Sequence, residues 1–222
     1  MRERPYVVIY VTSSVDGKIA SVTGDSRLSC MYDLKRLHTL RALCDAVMVG
    51  ANTVIKDDPL LTVRYVEGSN PLRVIIDGVL RVPSTSRVIT DRSAKTLVIT
   101  STTAQAEKVD ELIRSGIDVV RLPSTKNGRV SLTDVMDVLW KRGVRRLLVE
   151  GGGNLIWGLV SKGLVDEFRI TISPYIIGGS QAVTPVEGEG FTSRNTWFRL
   201  KLANYMVCEC GNEVHIIYVP VR

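Results

Sequence analysis

The sequence predicts an α/β fold with a largely parallel central sheet, helices flanking it, and an antiparallel hairpin at its C-terminal end. Short runs of Val, Ile and Leu alternate with longer segments of helical periodicity, a pattern typical of parallel strands joined by crossover helices. Some apolar runs end directly in a carboxylate and glycine, as at Asp77-Gly78 and Glu150-Gly151. Only three Phe and three Trp occur in 222 residues, and the prevalence of Val, Ile and Leu favours a sheet-rich interior.

The length and the net charge of the chain limit the classes of protein to which it can belong. A chain of 222 residues can enclose a hydrophobic core, and no linker, repeat or low-complexity tract divides it, so we predict one domain over 1–222. The net charge is +6, and its densest cluster is Lys141-Arg142 with Arg145-Arg146. Because that cluster flanks a predicted helix end and strand start, we expect solvated surface and no nucleic-acid partner.

The cysteine pattern and the N-terminus indicate an intracellular protein. The chain contains four cysteines and two histidines: Cys30, Cys44, Cys208, Cys210, His38 and His215. Because the cysteines lack a paired CxxC spacing and few histidines complement them, we expect reduced thiols and no metal site. The first apolar run, Tyr6 to Val11, is shorter than a signal-peptide core or a membrane span. We therefore predict a cytoplasmic protein with no membrane partner.

The first elements are a strand, a turn and a helix. Pro5 to Ser13 is apolar and rich in β-branched residues, as expected of a strand covered on both faces. In the turn that follows, Lys18 is either a solvated lysine or a ligand contact. Met31 to Leu43 has apolar residues three to four apart, which predicts a helix with one apolar face. Arg41, near the end of that helix, either compensates the helix dipole or faces a ligand.

The stretch from Ala46 to Arg64 concentrates polar side chains in a short space. A short apolar strand from Ala46 is followed by one helical turn that opens at Asn52-Thr53 and closes at Asp57-Asp58-Pro59. Since α/β proteins bind ligands at the carboxyl ends of their strands, we predict a functional site here. Asp58, which precedes Pro59, is interpreted as structural.

Alternating strands and helices continue from this stretch to the C-terminus. Strands are predicted over Leu72–Ile76, Thr96–Thr100, Ile117–Leu122, Arg145–Val149 and Val165–Ile172, and helices over Thr103–Ser115, Leu132–Arg142 and Leu155–Lys162. The turn Glu150 to Asn154 contains three glycines before a helix, which suits a phosphate, although tight packing alone is the alternative. Phe198–Val207 and Val214–Val219 predict the terminal hairpin.

A family resemblance rests on five motifs in a fixed order. They are Asp16-Gly17-Lys18, GANTVIKDDPLLTVR from Gly50, Ile76-Asp77-Gly78, LLVEGGGNLIWG from Leu147 and LVDEFRITISPYIIGG from Leu164. Over nearly its whole length the chain closely resembles the riboflavin-biosynthesis reductase family, which has a dihydrofolate-reductase-like fold. It is most similar to the stand-alone archaeal-type 2,5-diamino-6-(ribosylamino)pyrimidinone 5′-phosphate reductases, because the HxE and PCxxC motifs of the deaminase domain fused to bacterial homologues are absent.

The resemblance implies a reaction and a set of site residues. The reaction is reduction of a ribosylamino group to a ribitylamino group on a phosphorylated pyrimidine by NADPH, with NADH as the alternative donor, in a homodimer. The implied cofactor contacts are Thr53, Asp57, Gly78, Gly151, Gly152, Gly153 and Asn154. The implied substrate contacts are Ser26, Arg41, Leu61, Arg64 and Glu150, with Lys18 near the sugar. Gly78 stands where serine is common in the family, so a hydroxyl contact would be lost.

The chemistry of a ribosylamine narrows the catalytic candidates. The sugar must open to an imine before C1′ accepts hydride, so proton donors and acceptors are needed near it. We assign Lys18 and Glu150 to the sugar hydroxyls and the imine proton, and Asp57 to orienting cofactor and substrate.

The arginines divide between two phosphates. Arg41 and Arg64 suit the 5′-phosphate of the substrate. Arg81 and Arg87 are candidates for the 2′-phosphate of NADPH, with solvated loop residues as an equal alternative, so the cofactor preference rests on the resemblance.

Other functions stay open at this point. One is a dihydrofolate-reductase-like enzyme acting on a pteridine or another imine, although the cationic pair Arg41 and Arg64 argues against an uncharged substrate. Another is a non-catalytic nucleotide-binding protein or a basic RNA-binding module, against which stand the carboxylates and Lys18 at predicted strand ends.

Overall fold

A computed structural model describes residues 3–125 and 128–221 of the chain. Its strands are β1 (Tyr6–Ser14), β2 (Ala46–Gly50), β3 (Leu72–Ile76), β4 (Thr96–Ser101), β5 (Asp118–Leu122), β6 (Arg146–Gly151), β7 (Glu167–Ser173), β8 (Leu200–Val207) and β9 (Val214–Pro220). Its helices are α1 (Met31–Leu43), α2 (Ala51–Asp57), α3 (Arg87–Thr90), α4 (Ala106–Arg114), α5 (Leu132–Lys141) and α6 (Gly153–Ser161), with a 3-10 turn at Arg194–Thr196.

The chain divides into two compact units. The first contains the N-terminal residues through Tyr6 together with Thr39–Leu148, and the second contains Val7–His38 and Val149–Arg222. The chain passes between the units within three elements: after Tyr6 in β1, after His38 in α1 and after Leu148 in β6.

In the first unit, four strands run parallel in the order β5-β4-β3-β2. A helix lies between each consecutive pair along the chain: α2, α3 and α4. The middle residues of β2, β3 and β4 are almost entirely buried, as expected of β-branched strands covered on both faces. The predicted parallel sheet with crossover helices is therefore confirmed.

In the second unit, β1 pairs in parallel with β7, β9 pairs antiparallel with β7, and β8 pairs antiparallel with β9. The β8–β9 pair is the terminal hairpin that the sequence predicts. β1 is buried along most of its length, whereas every residue of β8 is exposed. The unit thus combines parallel pairing at its buried strands with an antiparallel edge.

Helix α1 has the predicted bounds, but its predicted apolar face is wrong. Met31 is 53% exposed and Leu43 is 63% exposed. The buried positions are Asp33, His38, Leu40 and Arg41. Because a helix turns about 100° per residue, side chains at a constant spacing of three drift around its surface and cannot share one face.

A hydrogen-bond network accounts for the buried carboxylate of α1. Asp33 accepts hydrogen bonds from the hydroxyls of Tyr10, Thr12 (2.7 Å) and Thr171 (2.6 Å). Burial opposes ionisation, but hydroxyl hydrogen bonds, with Ser29 and Thr171 foremost, hold the pKa of Asp33 below its ordinary value. Polar pairing, not an apolar stripe, therefore fixes this face of α1 in the second unit.

Among the described residues, none of the helices combines the length and the apolar character needed to cross a membrane.

Candidate active site

The polar elbow after β2 is the helical turn that the sequence predicts. α2 begins at Ala51 and ends at Asp57, and Asp58 follows in the left-handed conformation (φ 39°), with its N–H donating to the Val54 carbonyl at 3.0 Å. Thr53 and Asp57 are four residues apart and so share one face of α2. Desolvation raises the pKa of the Asp57 carboxyl, and the nearby Lys56 opposes that shift.

Asp58 closes the elbow by holding Arg87. Its Oδ1 accepts a hydrogen bond from the Arg87 backbone N–H at 2.7 Å, and its Oδ2 lies 3.3 Å from Arg87 Nε. Its carbonyl also accepts from Arg87 Nε at 2.7 Å. These contacts agree with the structural role predicted for Asp58. They also show that Arg87 has a carboxylate partner within the chain, whereas Arg81 Nη2 donates to the neutral Asn52 side chain at 2.8 Å.

Two guanidinium groups converge on Thr62. Arg41 Nη1 donates to the Thr62 carbonyl at 2.9 Å, and Arg64 Nη1 donates to the Thr62 hydroxyl at 3.0 Å. Arg41 is buried and Arg64 is exposed, so the interpretation of Arg41 as a surface helix charge is wrong. A pair of arginines at one point is the arrangement that suits a doubly charged phosphate.

Leu61 lies beneath this part of the surface. The residue is 1% exposed and has a φ of 55°, a left-handed conformation that is costly for a leucine. Holding a residue in such a backbone conformation costs about 1–3 kcal/mol, and its surroundings must offset that cost. The side chain packs within the first unit, and its contact with substrate stays a prediction.

A buried arginine that sequence reasoning missed supports the same segment. Arg73, on β3, is fully buried and donates to the carbonyls of Leu60 (3.3 Å), Asp91 (2.7 Å) and Ala94 (2.6 Å). Its Nη1 also donates to Asp91 Oδ1 at 3.0 Å. Arg73 thereby joins the residue before Leu61 to the segment that follows α3.

In the second unit, the turn after β1 is built around Asp16. Ser14 Oγ donates to Asp16 Oδ1 at 2.6 Å, and the backbone N–H groups of Ile177 and Gly178 donate to the Asp16 carboxylate at 3.0 and 2.6 Å. The Ser14 hydroxyl, followed by these backbone N–H groups, lowers the pKa of Asp16 to about 2. The turn therefore does more than reverse the chain direction, since the Asp16 carboxylate anchors the loop after β7.

Lys18 is half-buried and faces a cavity. Its Nζ donates to the Ala182 carbonyl at 3.5 Å. The cavity measures about 550 Å³ and is lined by Lys18 with Trp157, Glu187 and neighbouring residues of the second unit. The interpretation of Lys18 as a fully solvated turn residue is therefore wrong.

The glycine turn leads from β6 into α6 as predicted. Glu150 is half-buried near the end of β6, and Gly152 caps α6, which begins at Gly153. A side chain at Gly153 would stand 2.5 Å from Glu187 Cγ, so this glycine is needed for packing. Asn154 Nδ2 donates to Glu187 Oε2 at 2.9 Å. By contrast, a Cβ at Gly151 would meet no atom within 4 Å, which leaves open space before the first amides of α6.

Ser26 lies on an exposed loop of the second unit. Its carbonyl accepts the Leu28 N–H at 2.8 Å, and the Leu28 carbonyl accepts the Ser173 hydroxyl at 2.6 Å. Leu28 is buried and anchors this loop against the end of β7.

The predicted residues fall into two sets by unit. The first unit holds Arg41, Thr53, Asp57, Leu61, Arg64 and Gly78, and the second holds Lys18, Ser26, Glu150, Gly151, Gly152, Gly153 and Asn154. Within the first set, Thr53 and Asp57 share a helix face and the two arginines share Thr62. Within the second, the glycines and Asn154 form one turn after Glu150.

Comparison with known protein families identifies the family to which this chain belongs. The model of the RibD C-terminal domain matches residues 5–216. The chain belongs to the RibD C-terminal domain family. A relative from Methanothermobacter thermautotrophicus, named 2,5-diamino-6-ribosylamino-4(3H)-pyrimidinone 5′-phosphate reductase, is 44% identical over 202 residues, which are 90% of this chain and 91% of that protein.

Solved structures agree with this assignment. RibD from Acinetobacter baumannii superposes with a TM-score of 0.82 at 25% identity, over 99% of this chain and 58% of that one. Dihydrofolate reductase from Enterococcus faecalis superposes with a TM-score of 0.54 at 12% identity, over 98% of this chain and 97% of that one. The second likeness concerns the fold alone, and it confirms the predicted dihydrofolate-reductase-like architecture.

Within this RibD C-terminal domain, packing explains the glycine at position 78. A Cβ on Gly78 would lie 2.0 Å from the Gly128 carbonyl oxygen and 3.3 Å from Arg129 Cα. The space that a serine side chain would fill is occupied here by the backbone at 128–129. The close approach of these two backbone segments in the first unit therefore requires glycine at position 78.

We expect the substitution Gly78→Ser to destabilise the protein by about 2 kcal/mol, because the added side chain must displace a backbone carbonyl. Thermal unfolding followed by circular dichroism measures this effect. Ile113→Ser, at an exposed position of α4 in the same unit, is the control and should change the melting temperature little. An unchanged melting temperature for Gly78→Ser would contradict this account of the glycine.

Proposed function

We propose that this chain reduces the ribosylamino side chain of 2,5-diamino-6-(ribosylamino)pyrimidin-4(3H)-one 5′-phosphate to the ribitylamino form in riboflavin biosynthesis. The observation that carries the proposal is the 44% identity, over 90% of the chain, to a relative named for this reductase. The arginine pair at Thr62 supports it, because this substrate carries a phosphate.

We further propose NADPH as the hydride donor, with Thr53, Asp57, Gly78 and the turn from Gly151 to Asn154 as its contacts. In the first unit, Thr53 and Asp57 present one face of α2 that supports cofactor contact. In the second unit, the open space at Gly151 before the α6 amides suits a pyrophosphate. For the 2′-phosphate, Arg81 is the stronger candidate because Asp58 already neutralises Arg87. Initial rates with NADPH against NADH test this preference.

When bound, the nicotinamide supplies a hydride to C1′ of the opened sugar. The chain's own residues must then hold the sugar open and manage its protons. In this proposal, Lys18 and Glu150 bind the sugar hydroxyls and hold the imine proton. Asp57 orients cofactor and substrate from the exposed face of α2, and Ser26 and Leu61 complete the substrate contacts.

The assay compares three candidate substrates or ligands under one set of conditions. NADPH oxidation is followed with the phosphoribosylamino pyrimidine, with dihydrofolate and with neither, and RNA binding is measured in parallel. We expect oxidation with the phosphorylated pyrimidine only. Turnover of dihydrofolate alone would favour the alternative enzyme, and tight RNA binding without oxidation would favour a binding module.

We expect Arg64→Met and Arg41→Met to raise the KM for the pyrimidine substrate by roughly 10- to 100-fold, since each removes a charge-assisted hydrogen bond worth about 1.5–3 kcal/mol. The KM for NADPH should stay within about 2-fold. Arg87→Met is the matched control, because Asp58 already pairs that arginine. A larger effect on NADPH than on substrate would reassign both arginines to the cofactor.

Quaternary state, domain organisation and location belong to the same proposal. The exposed residues of β8 include Leu202, Tyr205, Met206 and Val207. An apolar edge of this kind supports a homodimer, which sedimentation equilibrium measures directly.

We propose a single reductase domain over 1–222, which predicts one cooperative unfolding transition. A cytoplasmic location would place the activity in the soluble fraction of source cells.

A further inference from the structure

Four side chains in the second unit gather donor atoms that the proposed reaction does not use. Cys208 and Cys210 lie in the turn between β8 and β9, Glu213 ends that turn, and Cys30 immediately precedes α1. One ligand atom from each lies within 4.8 Å of every other, and the Cys30 and Cys208 sulfur atoms are 3.5 Å apart. In a tetrahedral zinc site with Zn–S bonds of about 2.3 Å, sulfur atoms stand about 3.8 Å apart.

We propose that Cys30, Cys208, Cys210 and Glu213 form a structural zinc site, with three thiolates and one carboxylate as ligands. A closed set of four protein ligands is typical of zinc sites that stabilise a fold, whereas catalytic sites keep one position open. Thiolate ligands also select zinc over magnesium or calcium.

The local fold brings the four ligands together without a metal. The Cys208 N–H donates to the Glu213 carbonyl at 2.8 Å, and the Gly211 N–H donates to the Cys208 carbonyl at 2.8 Å, which closes the turn. Gly211 has a φ of 77°, which a side chain would disfavour. Glu213 Oε1 then accepts the Cys30 N–H at 2.8 Å, so the turn is already joined to the start of α1.

An unpartnered oxygen points independently to a ligand. Glu213 is 3% exposed, and its Oε2 is buried with no hydrogen-bond partner among the residues that the structure describes. Leaving a buried carboxylate oxygen unsatisfied is costly, and native structures avoid it. A cation within the cluster would satisfy this oxygen.

Neighbouring donors support thiolates at this place. The Asp33 N–H, in the first turn of α1, donates to Cys30 Sγ at 3.4 Å, and Arg36 Nη2 donates to Cys208 Sγ at 3.7 Å.

The competing account of the cluster is a disulfide between Cys30 and Cys208. Their sulfur atoms would need to close from 3.5 Å to about 2.05 Å. Formation would oxidise two thiols and release two protons and two electrons to an oxidant, and it would leave Cys210 and Glu213 without a common partner. Thiol counting under denaturing, non-reducing conditions separates the two accounts.

The test uses the full chain, purified anaerobically without chelator. We expect elemental analysis to find about one zinc per chain, and metal-free reduced protein to bind cobalt with the intense near-ultraviolet absorption of thiolate ligation. Cys208→Ser and Cys210→Ser should lose the zinc, whereas Cys44→Ser, which removes a buried thiol of the first unit, should keep it.

Two further measurements keep the proposal testable if the cysteine variants fail to fold. Cobalt titration of the reduced wild-type chain needs no variant. Glu213→Gln should weaken cobalt binding by at least about 10-fold, while Glu189→Gln, which changes an exposed carboxylate of the same unit, should not. Metal-free protein that binds no cobalt, zinc retained in both cysteine variants, or a Cys30–Cys208 disulfide would each overturn the site, whatever the outcome of the reductase assay.

Discussion

Single-turnover hydride transfer is expected to slow by about 10²- to 10⁴-fold in at least two of the variants Lys18→Met, Asp57→Asn and Glu150→Gln. Each substitution removes a charge that the proposed mechanism uses to hold the opened sugar or to orient the reactants. Enzyme, substrate and excess NADPH are mixed rapidly, and the decay of NADPH absorbance is recorded. This measurement separates hydride transfer from product release.

The positions of Lys18, Asp57 and Glu150 explain why their loss should slow hydride transfer. Lys18 is half-buried at a cavity, and Glu150 is half-buried at the end of β6. Asp57 sits on the same helix face as Thr53, and desolvation raises its pKa. The charges of Lys18 and Glu150 lie partly out of solvent, so solvent replaces them poorly when they are removed. Asp57 is exposed, and its neutral variant should raise the barrier by losing the charge that orients cofactor and substrate.

The neighbouring carboxylate provides the matched control. Asp58→Asn removes a charge one residue from Asp57, but Asp58 holds Arg87 and caps α2. We expect this variant to melt at a slightly lower temperature, because the exposed ion pair with Arg87 contributes about 1 kcal/mol or less, while its hydride-transfer rate stays within about 3-fold of wild type. Near wild-type rates for all three test variants would refute the catalytic assignment.

Local sequence signals predict those parts of the site that are built from consecutive residues. The elbow after β2, the glycine turn before α6 and the hairpin of β8 and β9 each depend on residues close together in the chain. Gly, Asp and Asn at the ends of apolar runs restrict the backbone there, so the sequence indicates the turn directly. The predicted positions of these elements are confirmed for that reason.

Features that depend on distant partners are the ones that sequence reasoning missed. Cys30 and Cys208 are 178 positions apart, so a search for paired CxxC spacing could not find their cluster. Asp33 is buried on α1 because strand residues supply its hydroxyl partners, which the helical period does not reveal. Gly78 has no room for a side chain because the backbone at 128 approaches it. In each case the cause is a tertiary contact.

No sequence motif indicated the buried arginine of β3, Arg73. Arg73 is fully buried, and its two terminal nitrogens make four hydrogen bonds, to Asp91 Oδ1 and to three backbone carbonyls. Burial lowers the pKa of Arg73, and the Asp91 carboxylate opposes that shift. A planar guanidinium can serve these acceptors at once, which a lysine ammonium cannot do in the same geometry.

We expect Arg73→Met to destabilise the protein by about 3 kcal/mol, or roughly 10 °C in melting temperature. The methionine fills most of the volume, but the carbonyls of Leu60, Asp91 and Ala94 lose their donor. Arg73→Lys should recover only part of the loss. The control is Arg92→Met, an exposed arginine of the same unit whose Nη2 donates to the Ser115 carbonyl.

Kinetics on the same variants show whether this arginine also positions the site. Because Arg73 holds the Leu60 carbonyl next to Leu61, its loss should loosen the segment from Leu60 to Arg64 as well as lower the melting temperature. At a temperature where Arg73→Met remains folded, we expect this variant to have a higher KM for the pyrimidine than the wild-type protein has. Its KM for NADPH should be unchanged. If stability falls but both KM values are unchanged, Arg73 supports the fold without positioning the substrate. If the melting temperature is unchanged, its buried hydrogen bonds do not stabilise the first unit.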